Sequence, residues 1–561
     1  MTKTSDHFAA AELARLCAAK GVRHAVISPG SRSAPLVIAF TQQAEIQCLQ
    51  VIDERSAAFF ALGMAQQLHA PVVLISTSGS AVLNYGPAIA EAFYQRVPLL
   101  VITADRPEEW VDQGEGQAIR QQGVLALHMK RSVQLPRDAH DELARWHCGR
   151  SINEAIDATL LPVPGPVHVN VPFAEPLYNT SEVATPSRLI APVMTEAFIL
   201  PDHARWLIGQ FSACKKVMIL AGQGLWSEGM KTLLTKVGSL PQVSVHVEAT
   251  SNLDDPAFIT TIDRVIEGVN EQNENDLKPD LLITFGGAIV SKRIKGLLRK
   301  WKPAQHWNVD AGQRHYDTYQ SLTHDIAVSP EIFFAQMAGG VQGNESIYRD
   351  AWRMVDERLR RTHAQLLSEA PFCDLTVFAT LMDHIPEESD VQLANSTPAR
   401  YAQLFERTRG LRWFSNRGTS GIDGCTSTAV GATFASQRPT TLITGDTAFL
   451  YDGNAFWNAH LSPHMRVIVI DNGGGNIFRV IEGPDKDPEL LKWFDAPHGR
   501  DPMALARSFN LPCYDAKDMA SLKTGLEQLY QVHERPAVLV VRTDAEVSPR
   551  VLREYFKKLK A

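Results

Sequence analysis

Short apolar runs recur along this chain, separated by longer stretches whose apolar positions fall three and four apart. The short runs read as buried parallel strands and the longer stretches as amphipathic helices. In residues 1–180 the predicted strands are 24–27, 46–52, 72–76, 99–103 and 167–171, with helical patterns such as 9–20 and 55–68 between them. The Pro-, Ser- and Thr-rich stretch 176–201 reads as a linker. The alternation returns more thinly in 200–342, with strands at 217–221, 243–248, 281–285 and 307–309, and breaks at the glycine-rich run 339–344. It returns again in 350–561, with strands at 391–394, 412–415, 441–444, 466–470 and 537–541. The basic amphipathic tail 550–560 reads as a solvated terminal helix. The expected fold class is α/β, built as three consecutive parallel-sheet domains, 1–180, 200–342 and 350–561.

Composition narrows the function class. A chain of 561 residues exceeds one ordinary domain, and a 45% hydrophobic, 21% charged balance is that of a globular protein. The net charge of −7 gives no basic field for nucleic acid. Seven scattered cysteines form no CxxC pair, which points to reduced thiols and a cytoplasmic protein. Asp6, His7 and Glu12 interrupt any signal-peptide core. No apolar run reaches the ~18 residues of a membrane span. Gly222-Gln223-Gly224 invites a dinucleotide reading, but Ser227 stands where the fingerprint needs its third glycine, so the run reads as a structural turn.

The chemistry concentrates in 440–478. A predicted strand breaks at Gly445 and leaves Asp446 at its carboxyl end. Asn472 ends the next strand 26 positions later, ahead of Gly473, Gly474 and Gly475. Ligands of parallel sheets gather at such ends, and these are oxygen donors suited to Mg²⁺. The arrangement resembles the motif of thiamine-diphosphate enzymes, usually GDG followed at this distance by NN. Here Thr447 replaces the third glycine and Asp471 the first asparagine. Thr447 suits the place if its backbone needs no positive φ. Asp471 is repulsive to a diphosphate unless paired or turned away. The resemblance implies that Asp446, Asn472 and the backbone carbonyl of Gly474 hold Mg²⁺ or Mn²⁺ on the cofactor's diphosphate. It also implies that Glu54, after the predicted strand 46–52, hydrogen-bonds N1′ of the cofactor's pyrimidine and favours the tautomer that removes the C2 proton. In that family the glutamate comes from the first domain of one subunit and the diphosphate motif from the third domain of its partner. The domains would then be pyrimidine-binding, central and diphosphate-binding, in a homodimer or dimer of dimers.

Five further stretches each place polar or cationic groups past a predicted strand end. They are Ser28-Pro29-Gly30-Ser31-Arg32-Ser33, Thr103-Ala104-Asp105-Arg106-Pro107 with Gly116-Gln117-Ala118-Ile119-Arg120-Gln121 soon after, Val290-Ser291-Lys292-Arg293, Asn395-Ser396-Thr397-Pro398-Ala399-Arg400, and Ser415-Asn416-Arg417-Gly418. Arginine forks bind carboxylates in bidentate fashion, so this many favour substrates with several carboxylates. The stretches PGSRS, TADRP, SNRG-x-SGIDG and GDT are similar to those of the 2-succinyl-5-enolpyruvyl-6-hydroxy-3-cyclohexene-1-carboxylate synthases of menaquinone biosynthesis. That family decarboxylates 2-oxoglutarate and adds the resulting carbanion to isochorismate in a 1,4 sense. The resemblance implies that Arg400, Arg417 and Ser396 hold the oxoglutarate-derived part. Ser31, Arg32, Arg106, Gln117, Lys292 and Arg293 would hold isochorismate. Ile422 would wedge the cofactor into its bent shape, with Ile477 and Phe478 lining the pocket and Thr447 beside the diphosphate. Glu54, Ser31, Arg32, Gln117, Arg400 and Arg417 are the candidate catalytic residues. The alternatives are an acetohydroxy-acid synthase, a simple 2-oxoacid decarboxylase, or a non-catalytic relative.

Overall fold

The computed structural model describes residues 3–182, 186–406, 410–480, 483 and 487–560. The first region holds strands β1 (Lys3–Ser5), β2 (His24–Ile27), β3 (Gln47–Gln50), β4 (Val72–Ser76), β5 (Leu99–Asp105), β6 (Arg131–Gln134), β7 (Val167–Pro172) and β8 (Thr180–Glu182). Strands β2 to β7 make a parallel sheet in the order β3-β2-β4-β5-β7-β6. The middle region holds β9 (Val217–Ala221), β10 (Val243–Val247), β11 (Leu281–Phe285), β12 (Gln305–Val309) and β13 (His324–Ile326), in the order β10-β9-β11-β12-β13. The last region holds β14 (Asp390–Leu393), β15 (Arg412–Ser415), β16 (Thr440–Gly445), β17 (Met465–Asp471), β18 (Cys513–Ala516) and β19 (Ala537–Arg542), in the order β15-β14-β16-β17-β19-β18.

Numbering each sheet's strands from one, the first and third share a single order, 2-1-3-4-6-5. The order reverses between strands one and three, where open α/β sheets bind ligands. In the first sheet that place is the ends of β2 and β4; in the third it is the ends of β14 and β16.

The expected fold class holds, with differences of physical origin. The interior strands β4, β5 and β11 are buried throughout and apolar, and the hydrophobic pattern finds them. β6, β13 and β18 escape it because each lies at a sheet edge with partly exposed, mixed residues. The predicted strand 46–52 is shorter, since Asp53 already caps the helix Glu54–Leu68 by accepting from the Ser56 N–H at 2.9 Å. The proposed linker begins inside structure, because β8 pairs antiparallel with β1. The basic tail is docked rather than merely solvated: Leu552, Tyr555 and Leu559 of the helix Val547–Lys560 are buried, and Tyr555 bonds His363 at 2.7 Å. All seven cysteines are free. Among the described residues, no helix is long and apolar enough to cross a membrane.

Two glycines fix the first and third sheets together. A Cβ on Gly63 would lie 2.0 Å from the Thr428 carbonyl oxygen, and one on Gly431 would lie 1.9 Å from that of Phe60. The helices Glu54–Leu68 and Cys425–Ser436 therefore meet backbone to backbone. One buried cluster continues through this contact, from Leu74 and Val101 by Phe59 and Phe60 to Leu442 and Val467.

Candidate active site

Asp446 opens the short helix Asp446–Tyr451 at the end of β16, and its carboxylate is buried. Oδ1 accepts from the Thr447 N–H at 2.6 Å and the Thr447 hydroxyl at 3.2 Å; Oδ2 accepts from the Gly473 N–H at 2.7 Å. Thr447 is helical, so the position needs no glycine, and its hydroxyl adds a donor that glycine lacks. Asn472, half-buried at the end of β17, donates its amide N–H to Asp374 at 3.4 Å. A Cβ on Gly474 would sit 2.4 Å from the Asp495 carbonyl oxygen, so only glycine passes there. His498 accepts from the Arg500 N–H at Nδ1, 3.0 Å, which leaves the buried Nε2 3.2 Å from Asp446 Oδ2 without a hydrogen bond. The extra carboxylate, Asp471, is paired. The β17–β19 register sets it beside Arg542, whose Nη1 donates to it at 2.8 Å. Burial, then the neighbouring Asp446, raises the Asp471 carboxyl.

These residues fit a diphosphate-bound Mg²⁺. Among the described residues, no three His, Cys, Asp or Glu stand together as a metal cluster. The donors are one carboxylate, one amide and one backbone carbonyl, a hard and incomplete oxygen set that leaves places for phosphate oxygens. Ile477 and Phe478 follow half-buried, with Phe478 against Phe494 at 5.3 Å between ring centres.

Past the ends of β14 and β15, and facing the middle region, stands a group of cations. Arg417 donates Nη1 to Asn395 Oδ1 at 2.8 Å, and its Nε is buried without a partner. Asn395 in turn donates to the carbonyls of Asn416 and Gly421, tying the loops that carry Ser396, Arg417 and Ile422. Burial lowers the guanidinium groups of Arg417, Arg400 and Arg293 from their usual range. Lys295 is lowered by burial too, and it lies within electrostatic reach of Arg417 and Arg400. Two buried acids of the middle region oppose them. Glu248 accepts from the Val290 and Ser291 N–H groups at 2.6 and 2.7 Å, and burial pushes its carboxyl up to about 7. Asp263 accepts from the Ser291 hydroxyl and is also raised by burial. Glu267, paired with Arg293, and Glu91, within electrostatic reach of Arg417, add two further acids. A cavity of about 630 Å³ on the middle-sheet side meets this cluster at Lys295, Arg417 and Gly418.

Not every expected residue joins it. Lys292 is exposed. Arg293, within electrostatic reach of Asp263 and Arg400, is already paired with buried Glu267 and lies 3.7 Å over the Phe556 ring of the terminal helix. Glu54 is half-buried in a separate hollow of about 510 Å³ lined by Pro29, Ile52, Asp53, Arg55, Asn84 and Trp457. No residue of the Asp446 site lines it.

The first-sheet group is prepared at the ends of β2 and β5. Arg32 is buried, donating to the Phe173 carbonyl at 3.0 Å, with Nε unpartnered. Arg106 donates to the Gly116 carbonyl at 3.0 Å, and its Nε is likewise unpartnered. Ser31 and Gln117 are exposed, Gln117 with a φ of 57°. Gln121, Asn170 and Asp105 brace these loops: Gln121 accepts from the Gly79 N–H and donates to Asn170, which donates to Asp105 at 2.7 Å. Among the described residues, no hydrogen bond or ion pair joins Ser31, Arg32, Glu54, Arg106 or Gln117 to the Asp446 side of the same chain. Asn395, Asp374, His498 and this bracing network escaped the sequence reading. Asn395, Asp105 and Gln121 lay inside recognised motifs without a role assigned to them.

Residues 8–124 match the family model described as thiamine pyrophosphate enzyme, N-terminal TPP binding domain, and 396–541 match its C-terminal TPP binding counterpart. The chain is 40% identical over 552 residues to the 2-succinyl-5-enolpyruvyl-6-hydroxy-3-cyclohexene-1-carboxylate synthase of Flavobacterium johnsoniae, covering 98% of each. It is 38% identical to the protein of the same name from Porphyromonas gingivalis, covering 98% of this chain and 97% of that one. Among solved structures it is similar to a benzoylformate decarboxylase from Polynucleobacter necessarius, with a TM-score of 0.72 over 96% of this chain and 99% of that one. At 15% identity that likeness shows the fold alone.

Proposed function

This chain belongs to the 2-succinyl-5-enolpyruvyl-6-hydroxy-3-cyclohexene-1-carboxylate synthase family of thiamine-diphosphate enzymes, and from that premise we propose how its residues divide the work. It is a transferase of the menaquinone pathway, and the reading gives it 2-oxoglutarate and isochorismate as substrates. The carrying observation is the buried cation group of Arg417, Arg400 and Lys295, whose two arginines follow strands of the sheet that carries Asp446. Such a cluster suits a substrate with two carboxylates.

Thiamine diphosphate, when bound, supplies the carbanion chemistry that lets a 2-oxoacid lose CO₂ and join an acceptor. Asp446, Asn472 and the Gly474 carbonyl hold Mg²⁺ or Mn²⁺ on its diphosphate. Ile422, Ile477 and Phe478 pack against the cofactor, and Ser396 faces it. Arg417 and Arg400 take the carboxylates of 2-oxoglutarate. Ser31, Arg32, Arg106, Gln117 and Lys292 take isochorismate. Arg293 reaches isochorismate only if it leaves Glu267. Glu54 would hold a hydrogen bond to the pyrimidine of the bound cofactor.

Glu54 lines a hollow apart from Asp446, with Ile52 and Trp457 exposed at its wall. This supports a homodimer in which the first region, 1–180, of one protomer faces the third, 350–561, of its partner. A cytoplasmic location fits free thiols throughout. The test is loss of isochorismate with 2-oxoglutarate, thiamine diphosphate and Mg²⁺ present, omitting each in turn. Turnover that persists without 2-oxoglutarate, or a preference for pyruvate, overturns the reading.

A further inference from the structure

We infer that Glu91, in the helix Gly86–Gln95 of the first region, is a positioning residue for the 2-oxoglutarate half of the reaction. This rests on the assignment of Arg417 to that substrate.

Glu91 is buried, and among the described residues no ion pair engages its carboxylate. All its donors but one come from the two residues after Arg417. Oε1 accepts from the Gly418 N–H at 2.7 Å; Oε2 accepts from the Thr419 N–H at 2.7 Å and the Thr419 hydroxyl at 2.6 Å. Gln95, one turn on, completes the set and also donates to the Ser415 carbonyl at 3.1 Å. A Cβ on Gly418 would lie 2.6 Å from the Glu91 carbonyl oxygen, so the loop is pressed against this helix.

Loop amides usually face water. Here two successive ones are pinned by a desolvated carboxylate, whose charge-assisted bonds are the stronger kind. Fixing the backbone at 418 and 419 fixes the direction in which Arg417 leaves the chain. The middle region grips the same loop from the other side. Gln223, from the glycine pair at 222 and 224, donates to the Ser415 carbonyl at 2.9 Å, and Asn252 exchanges bonds of 2.6 and 2.9 Å with the Trp413 backbone. The loop is thus clamped by all three regions. Arg417 then has one donor committed to Asn395 and a buried Nε left over. Glu91 also favours the charged guanidinium through space.

The experiment measures KM for each substrate in the cofactor-loaded enzyme, with melting temperature alongside. Losing these charge-assisted bonds should raise the KM for 2-oxoglutarate about tenfold or more in Glu91→Ala, with isochorismate's KM changed less than about twofold. Glu91→Gln, which keeps the length and one acceptor, should fall between. In an Arg417→Ala background, Glu91→Ala should add nothing to the 2-oxoglutarate KM. Equal rises in both KM values, or a lower melting temperature with neither moved, would overturn the inference. If Glu91→Ala does not fold, Glu91→Gln carries the same split. Arg417→Ala separates the two levels. No change in its 2-oxoglutarate KM sinks the Arg417 assignment, whereas a rise there but not in the Glu91 variants sinks Glu91 alone.

Discussion

The first and third sheets share the strand order 2-1-3-4-6-5, yet their strand ends are finished differently. At the third sheet, Asp446 is buried with three donors already in place, and the chain around Gly474 is packed too tightly for any side chain. At the first, Glu54 stands half-buried in a hollow with exposed Ile52 and Trp457. One plan has been used once as a completed grip and once as an open half. The difference teaches that topology places a ligand-facing edge, while the loops decide whether that edge works alone or needs another surface. On the proposed reading Asp446 anchors the cofactor from one side, and Glu54 meets it from the open hollow.

The sharpest way to break the comparison is to remove the finished half. Asp446→Ala should weaken cofactor and Mg²⁺ binding by more than about a hundredfold, since even outer partners of metal ligands cost 10–100-fold. Calorimetry reads this, and unchanged affinity would mean that the grip lies elsewhere. Glu54→Gln should do the opposite, keeping cofactor binding while activity falls by roughly 10²–10⁴. Slowed deuterium exchange at the cofactor's C2 is the companion signal. If the open half is closed by a partner protomer, mixing these two inactive variants should recover about a quarter of the sites, one in each mixed dimer. No recovery after subunit exchange would place both residues in one protomer's site.

Smaller effects should sort the arginines. Arg417→Ala or Arg400→Ala should slow decarboxylation of 2-oxoglutarate without acceptor by about ten- to a hundredfold. Arg32→Ala or Arg106→Ala should spare that step and raise the KM for isochorismate. Stopped-flow measurement would invert the assignment if Arg32→Ala alone crippled the first step. The smallest change belongs to Asp471→Asn. Because Arg542 already pairs it, cofactor affinity should shift by less than about threefold. A tenfold loss would make Asp471 a ligand in its own right.

How much of this was legible follows from where each signal sits. Asp446 and Asn472 were readable because a strand, a turn and a glycine run announce a ligand-facing end locally. The interior strands were readable because burial on both faces demands apolar runs. Edge strands such as β18, Cys513–Ala516, were not, since one side faces water and the pattern dissolves. Glu91 was invisible for another reason. Its partners lie 327 and 328 residues away, and a glutamate on an amphipathic helix looks solvated until the fold brings a loop to it. Arg293 shows the reverse case. Its motif was recognised, but Glu267 and Phe556, supplied by distant elements, hold it aside. The side chain between the glycines at 222 and 224 holds the Ser415 carbonyl, a contact 192 residues away that no local pattern announces.

The paired glycines Gly63 and Gly431 carry a consequence for inheritance and engineering. Two helices in backbone contact have no side-chain layer between them to absorb a mismatch. Neither helix can drift in sequence at these positions without the other. The first and third regions are therefore a single unit of exchange. A chimera that takes one from a distant relative must take both.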